Sequence, residues 1–334
     1  MRRQLRRTVV TALLLPPLLL AGVAPATAHD GAHDGARDLP TTYPLSGDAG
    51  GSTFEGIDVV RDRGTFYVTE TTGGEIHRGD LDEVRTEVWL DEDAAVRDDR
   101  RAAVGIATDR SGRVYVAGGA NRTQVPGDSP DFWVYDDDRD LLAALRMPVE
   151  GDLFLNDVVI GPDGAAYVTD SMTPRIFRIA RENGTWEATV WASPTAPGAP
   201  TRGPGFGLNG IEVAGDGRSL VVVQSDVGAL WRYDLATAGP TRIGIGNADV
   251  TSGDGLVIEG RTLVVVRNQP HRLAYLRLNR DATSARLLAQ VPTPADRFLT
   301  TGAAARGQLL LVDSQFDETP PSRDSEVVTM RSRR

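Results

Sequence analysis

Six times along the chain a short apolar stretch runs into a glycine turn and then into a second stretch dense in Val, Tyr and Leu. The paired stretches are 56–60 with 64–69, 105–108 with 112–117, 157–160 with 164–169, 210–213 with 217–223, 255–258 with 260–266, and 301–304 with 307–312. Short alternating runs bounded by Gly are strand signals, and a fixed period is the signature of a repeat architecture. The turn glycines Gly64, Gly112, Gly164, Gly217, Gly260 and Gly307 are 48, 52, 53, 43 and 47 residues apart, near the length of one four-stranded propeller blade. A third alternating run follows in every unit, at 75–78, 132–135, 175–179, 230–233, 273–276 and 327–330. A fourth follows in five, at 87–90, 145–149, 188–191, 241–245 and 287–291, and the sixth unit has no room for one. Residues 41–45, ahead of the first unit, supply the missing strand and would close the ring, which removes exposed sheet edges. No stretch carries a helical period, so the fold class predicted is all-β, a six-bladed β-propeller over residues 39–334.

The N-terminus has a different pattern. Arg2, Arg3, Arg6 and Arg7 precede an apolar run over 9–20 and the small-residue triplet Ala26-Thr27-Ala28. That is a signal peptide, residues 1–28, on a Sec or twin-arginine route, and its run is too short to span a bilayer. Residues 29–38, rich in Gly and Asp, read as a flexible tail. The expected location is therefore secreted, with no membrane span.

There is no cysteine and no lysine, so disulfides and thiolate chemistry are excluded. The 36 basic against 46 acidic residues give a net charge of −10, and loss of the four leader arginines leaves −14. A chain this acidic is expected to bind neither nucleic acid nor an anionic membrane. The expected partner is a small-molecule substrate; oligomeric state is not legible.

In a propeller the first strand of each blade lines the central tunnel, so equivalent residues at its start form a ring. That position reads Glu55, Val104, Asn156, Asn209, Asp254 and Thr301. Four carry carboxylate or carboxamide oxygens. For any one of them a strand cap is the simpler reading, since Asn-Gly and Asp-Gly are common turn pairs; four in register point to a cation. A ligand set of hard oxygens without His or Cys favours Ca2+, with another divalent cation such as Mg2+ as the alternative.

The phrases Phe54-Glu55-Gly56-Ile57, Leu155-Asn156-Asp157-Val158, Leu208-Asn209-Gly210-Ile211 and Ser252-Gly253-Asp254-Gly255-Leu256 resemble the metal-ligand motifs of the senescence marker protein/gluconolactonase family, the luciferin-regenerating-enzyme-like propellers. They are similar also to those of the six-bladed diisopropyl fluorophosphatase and paraoxonases. The resemblance runs in blade order from Glu55 to about Asp313. It implies a catalytic divalent cation held by Glu55, Asn156, Asn209 and Asp254, and hydrolysis of lactones, esters or organophosphates. The family's sugar lactonases often carry Arg two residues before the blade-three Asn, where this chain has Phe154, so a less polar substrate is expected, with Trp133, Phe206 and Trp231 available to it.

Asp254 is the expected catalytic carboxylate, activating water or attacking directly. Asp157, on the opposite side of its strand by simple alternation, is expected to support the ligands rather than to join them. Substrate contacts are expected from Phe154, Asp170, Ser171, Asn268 and His271, with Thr71, Ser225 and Ser314 on the same rim. His271 could shuttle protons, though a lone loop histidine is more often silent; His77 is assigned no role, and His29 belongs to the tail. No Gly-x-Ser-x-Gly motif supports a Ser-His-Asp site. The rival reading is a non-catalytic binding propeller with a structural calcium, since propellers host many unrelated functions.

Overall fold

The computed structural model describes residues 38–60, 62–118 and 129–333. The expected leader and tail, up to residue 37, and most of the 118–131 connection lie outside them. Residues from Asp38 onward form one compact unit of six four-stranded antiparallel sheets, a six-bladed β-propeller. The innermost strands are Phe54–Val60, Ala103–Thr108, Leu155–Ile160, Leu208–Val213, Gly253–Glu259 and Leu299–Ala305. They touch in cyclic order, the last returning to the first.

Each inner strand pairs with a second strand through the glycine turn. All six turn glycines adopt positive φ, between 63° and 90°, a conformation that costs glycine nothing and other residues appreciably. The second strands Thr65–Glu70, Val114–Gly118, Ala166–Asp170, Ser219–Gln224, Thr262–Arg267 and Gln308–Asp313 are almost wholly buried, which explains their unbroken Val and Leu runs. Between blades, apolar faces pack pairwise: Phe54 and Phe66 of blade one lie with Tyr43, Leu310 and Val327 of blade six.

The fourth strand of blade six is Thr42–Ser46, which pairs antiparallel with Asp324–Arg331 and sets Thr42 opposite Val328. The fourth strand of blade two is Leu141–Leu145, not 145–149. The apolar run there extends to Val149, but Met147 N–H bonds to the Asp131 carboxylate at 2.8 Å, which draws the chain off the sheet. One short helix, Glu92–Arg97, interrupts the all-β pattern. Its signal was an N-cap, since Asp91 accepts a hydrogen bond from Ala94 N–H at 3.0 Å and Glu92 and Asp93 occupy the first turn.

Candidate metal centre at the mouth of the tunnel

Every inner strand carries a bulge at the same place. In blade one Phe54 pairs with Glu70 and Ile57 with Val68, so two residues, Glu55 and Gly56, stand opposite one. The same register shift follows Ala103, Leu155, Leu208, Gly253 and Leu299. A bulge breaks simple alternation and re-aims a side chain. Here the first bulge residue is the ring residue in every blade. By this register the sixth equivalent is Thr300, not Thr301, because Thr300 follows Leu299 as Glu55 follows Phe54; it is wholly buried, its Oγ1 donates to the Glu55 carbonyl at 3.3 Å, and it does not line the mouth. The sequence alignment placed the residue before Gly302 in the ring; in blade six the glycine has slid one position along.

The second bulge residue is glycine in four blades because the next inner strand presses on it. A Cβ on Gly56 would stand 2.2 Å from the Val104 carbonyl oxygen, on Gly105 2.3 Å from that of Asn156, and on Gly210 2.3 Å from that of Asp254. Hydroxyls lock the same seams: Thr169 Oγ1 donates to the Asn209 carbonyl at 2.8 Å, Ser171 Oγ to that of Leu208 at 2.6 Å, and Ser225 Oγ to that of Gly253. Sequence and packing together thus fix the backbone beneath each ring side chain.

Glu55, Asn156, Asn209 and Asp254 line one cavity of about 670 Å³ at the mouth, each less than a tenth exposed. Asn268 Nδ2 donates to Asp254 Oδ2 at 2.8 Å, and the Asn209 amide stands close enough to favour the charged form of this carboxylate. Burial pushes the Asp254 carboxyl up to about 7, these two amides opposing it. Glu55 is pushed well above the usual carboxylate range by burial first, then by the charges of Asp254 and Asp157. Two buried acids that repel each other require a proton or a cation between them.

Asn156 carries the most direct sign of a ligand. Its Nδ2 donates to Ser171 Oγ at 3.1 Å, which fixes the amide, while its Oδ1 is buried with no hydrogen-bond partner. An unmet carbonyl oxygen beside two acids, with a second carboxamide, is a donor set suited to a hard divalent cation.

Of the expected substrate residues, Phe154 and Asn268 line the cavity, and Thr71 does too. Asp170, Ser171 and His271 do not. Asp170 is fully buried and accepts from Phe154 N–H at 3.2 Å, Met172 N–H at 2.9 Å and Arg175 Nε at 2.6 Å. It shapes the loop that presents Phe154 and Met172 instead of facing substrate. Ser171 is occupied by Asn156 and Leu208, and His271 Nδ1 lies 3.1 Å from the Arg297 carbonyl oxygen with its ring edge-on to Phe298. Ser225 and Ser314 are likewise absent from the lining, their hydroxyls given to Gly253 and Phe298 carbonyls.

Asp157 sits at the second bulge position, where four other blades have glycine. Its carboxylate accepts from Val158 N–H at 2.8 Å and from Ile211 N–H of blade four at 3.0 Å. It lines a smaller cavity of about 180 Å³ lower in the tunnel with Asp58 and Thr108. It ties two blades together and acts on the ring only through its charge. Of the three aromatic residues expected near substrate, Phe206 lines the mouth and Trp133 and Trp231 do not; Trp133 is wholly buried, its Nε1 donating to the Asp98 carbonyl.

Four lining residues were missed by the sequence reading, Arg101, Ala102, Met172 and Phe316. Phe316 comes from a long blade-six connection and Arg101 from the segment before blade two, both outside the repeating phrase that located the rest. Arg101, ion-paired to Asp99 at 2.9 Å, is the one basic side chain on the lining among the described residues.

No protein-family model matches the chain, and no curated protein does. Solved structures similar to it include the major Malassezia sympodialis allergen Mala s 1, at 16% identity and TM-score 0.68, covering 87% of this chain and 96% of the allergen. The calcium-binding protein regucalcin from Agrobacterium tumefaciens matches at 17% identity and TM-score 0.57, over 88% of this chain and 96% of its own. Virginiamycin B lyase from Staphylococcus aureus matches at 16% and 0.57, over 81% of each chain. At these identities the likeness is one of fold, shared with propellers that include enzymes and a calcium-binding protein.

Proposed function

We propose that the protein is an exported, metal-dependent hydrolase of a small carboxylic ester, lactone or phosphotriester, working at the mouth of the tunnel. The observation that carries this reading is the convergence of Glu55, Asn156, Asn209 and Asp254 on one cavity, with Asn156 Oδ1 buried and unbonded. Calcium held by these four, when bound, supplies a Lewis acid for a carbonyl or phosphoryl oxygen. Asn209 and Asn268 orient the Asp254 carboxylate. Asp254 takes a proton as water oxygen bonds to the acyl carbon or phosphorus; the bond to the leaving oxygen then breaks and that oxygen is protonated. Phe154, Met172, Phe206 and Phe316 offer an apolar wall to the body of the substrate.

The test is a panel of aryl esters, lactones and phosphotriesters, assayed with calcium added and with calcium chelated. Turnover that chelation abolishes and calcium restores is the expected result. Asp254→Asn should keep the fold and lower kcat by about 10³-fold, in the range of lost general-base catalysis, with bound calcium measured on the same variant. The exposed Phe206 and Phe316 at the rim also suit a binding module, 54% and 47% exposed. A protein that binds calcium, melts later for it and hydrolyses nothing on the panel would establish that second reading.

A further inference from the structure

In blades three, four and five the last residue of the second strand faces the first residue of the third across a hairpin. Asp170 faces Arg175, Gln224 faces Ala229 and Arg267 faces Arg272. Each of these buried polar residues is satisfied. Asp170 has Arg175 at 2.6 Å, Gln224 bonds Thr201 and Trp231 at 2.9 and 3.0 Å, and Arg267 reaches Asp249 at 2.6 Å. In blade one the same two places hold Glu70 and Glu75, linked by Glu70 N–H to the Glu75 carbonyl at 3.0 Å. An acid therefore stands where blade three has its arginine. His77, opposite Val68, occupies the place of Phe177, opposite Val168. His77 lies two residues beyond Glu75, which immediately precedes the strand Ile76–Asp80.

A ligand atom from each of Glu70, Glu75 and His77 lies within 4.8 Å of the other two. Glu70 and His77 are 0% and 1% exposed, yet neither Glu70 oxygen nor His77 Nε2 has a hydrogen-bond partner. Ser52, the Glu75 carboxyl and Gly73 stand close enough to the Glu70 carboxyl to favour its charged form without closing a bond. Unmet polar atoms this deeply enclosed are costly, and three from one cluster share one explanation.

We propose that Glu70, Glu75 and His77 form a second cation site, separate from the tunnel mouth, that takes a dication of the zinc class with Asp48 on its solvent side. None of the three lines the mouth cavity. An imidazole nitrogen with two carboxylates selects zinc over calcium, which takes oxygen alone. Donors around tetrahedral zinc at 2.0–2.2 Å stand about 3.4 Å apart, so the side chains must draw in slightly. A bound dication favours ionised carboxylates and needs the neutral imidazole, resolving all three together. Asp48 lies on the solvent side of the three, across Gly73 from Glu70: a Cβ on Gly73 would lie 3.5 Å from Glu70 Oε2 and 3.6 Å from Asp48 Oδ2. Asp48 and Glu75 also border an open cavity of about 360 Å³, which gives the ion a way in. Asp48 belongs to the segment carrying the chain from blade six into blade one, so the ion would pin the junction where the ring closes.

The test titrates metal-stripped protein with Zn2+ while Ca2+ is held at saturation, by calorimetry and by metal analysis after gel filtration. One equivalent of zinc and a higher Tm are expected, the same in Asp254→Asn, so failure of the hydrolase reading leaves this result untouched. Glu75→Gln should weaken zinc binding more than about 100-fold, beyond what loss of an outer partner costs, and Asp48→Asn, at an exposed position, by about tenfold. Co2+ should give visible absorption bands in the wild type that Glu75→Gln lacks. Folded wild type that takes up no zinc, or takes it up equally well as Glu75→Gln, overturns the site and leaves a carboxyl pair sharing a proton.

Discussion

Blade one and blade three follow the same plan and, beyond Gly56 against Asp157 in the bulge, diverge at one hairpin. Each gives one oxygen donor to the tunnel mouth from the same bulge, Glu55 in one and Asn156 in the other. Behind that bulge, blade three closes its hairpin with Asp170, Arg175 and Phe177, and Arg175 stacks over the Phe177 ring at 5.5 Å. Blade one has Glu70, Glu75 and His77 there, with no basic partner on the hairpin. A repeat protein thus contains its own controls. Where three copies of a position are satisfied and a fourth is not, the fourth is the place to look for a ligand. The ring at the mouth exists because all blades keep one geometry, and the cluster in blade one exists because one blade departs from it.

The largest effect is expected from breaking the closed hairpin. Arg175→Ala leaves Asp170, wholly buried, with only the N–H groups of Phe154 and Met172. Removing one partner of a buried pair costs about 3–5 kcal/mol, and urea unfolding of the variant should show a loss in that range. Because Asp170 positions Phe154 and Met172 at the mouth, KM for any substrate found should rise as well. A loss under about 1 kcal/mol would mean that the two hairpins are not the opposites described.

A smaller effect of opposite sign is expected from Glu75→Arg, which gives blade one the charge pattern of blade three. Its sign follows from proton linkage. Burial and Glu70 hold the folded Glu75 carboxyl at about 7, above its ordinary 4.5. Between those values the folded chain binds the proton that the unfolded chain has lost, so metal-free stability falls as pH rises from about 4.5 through 7. At pH 8 the penalty is fully present. The arginine removes it and pairs with Glu70, so unfolding at pH 8 without metal should cost about 2 kcal/mol more than in the wild type, and zinc should no longer raise Tm. At pH 5 the gain should shrink. An equal gain at both pH values would point to packing and not charge.

This contrast also marks what the amino-acid sequence could disclose. The blade count, second strands and four mouth residues were legible because each is written several times at a fixed spacing, and errors average out. The bulge was not legible as such, and Thr301 was taken for Thr300 because glycine, the visible marker, moved one place in blade six. Asp170, Ser171 and His271 were assigned to substrate because they sit on the correct rim; which way a rim side chain turns depends on partners such as Arg175, Leu208 and Arg297, distant in kind from any local pattern. Glu70, Glu75 and His77 were in plain view, yet acids at strand ends are common on surfaces, and only burial makes them unusual.

The smallest effect isolates the third member of the cluster. His77 packs edge-on against Phe54, ring centroids 5.2 Å apart, in the place that blade three fills with Phe177. His77→Phe therefore keeps an aromatic ring of similar reach and removes one buried, unbonded nitrogen. Without metal at pH 7.5 this should stabilise by about 1 kcal/mol, the low end of the cost of an unmet buried polar group. The gain should grow in acid, for a reason opposite to that at Glu75. Burial holds the folded imidazole at about 4 against its ordinary 6.5, so between these values the unfolded chain binds a proton the folded chain does not. The wild type then loses stability as pH falls through that window, and phenylalanine, with nothing to protonate, does not. With zinc present the order should invert, because the variant has lost a ligand that the wild type uses. A variant less stable than wild type at both pH values, with and without zinc, would show that the His77 ring already has what it needs in the fold, and blade one would be an ordinary blade.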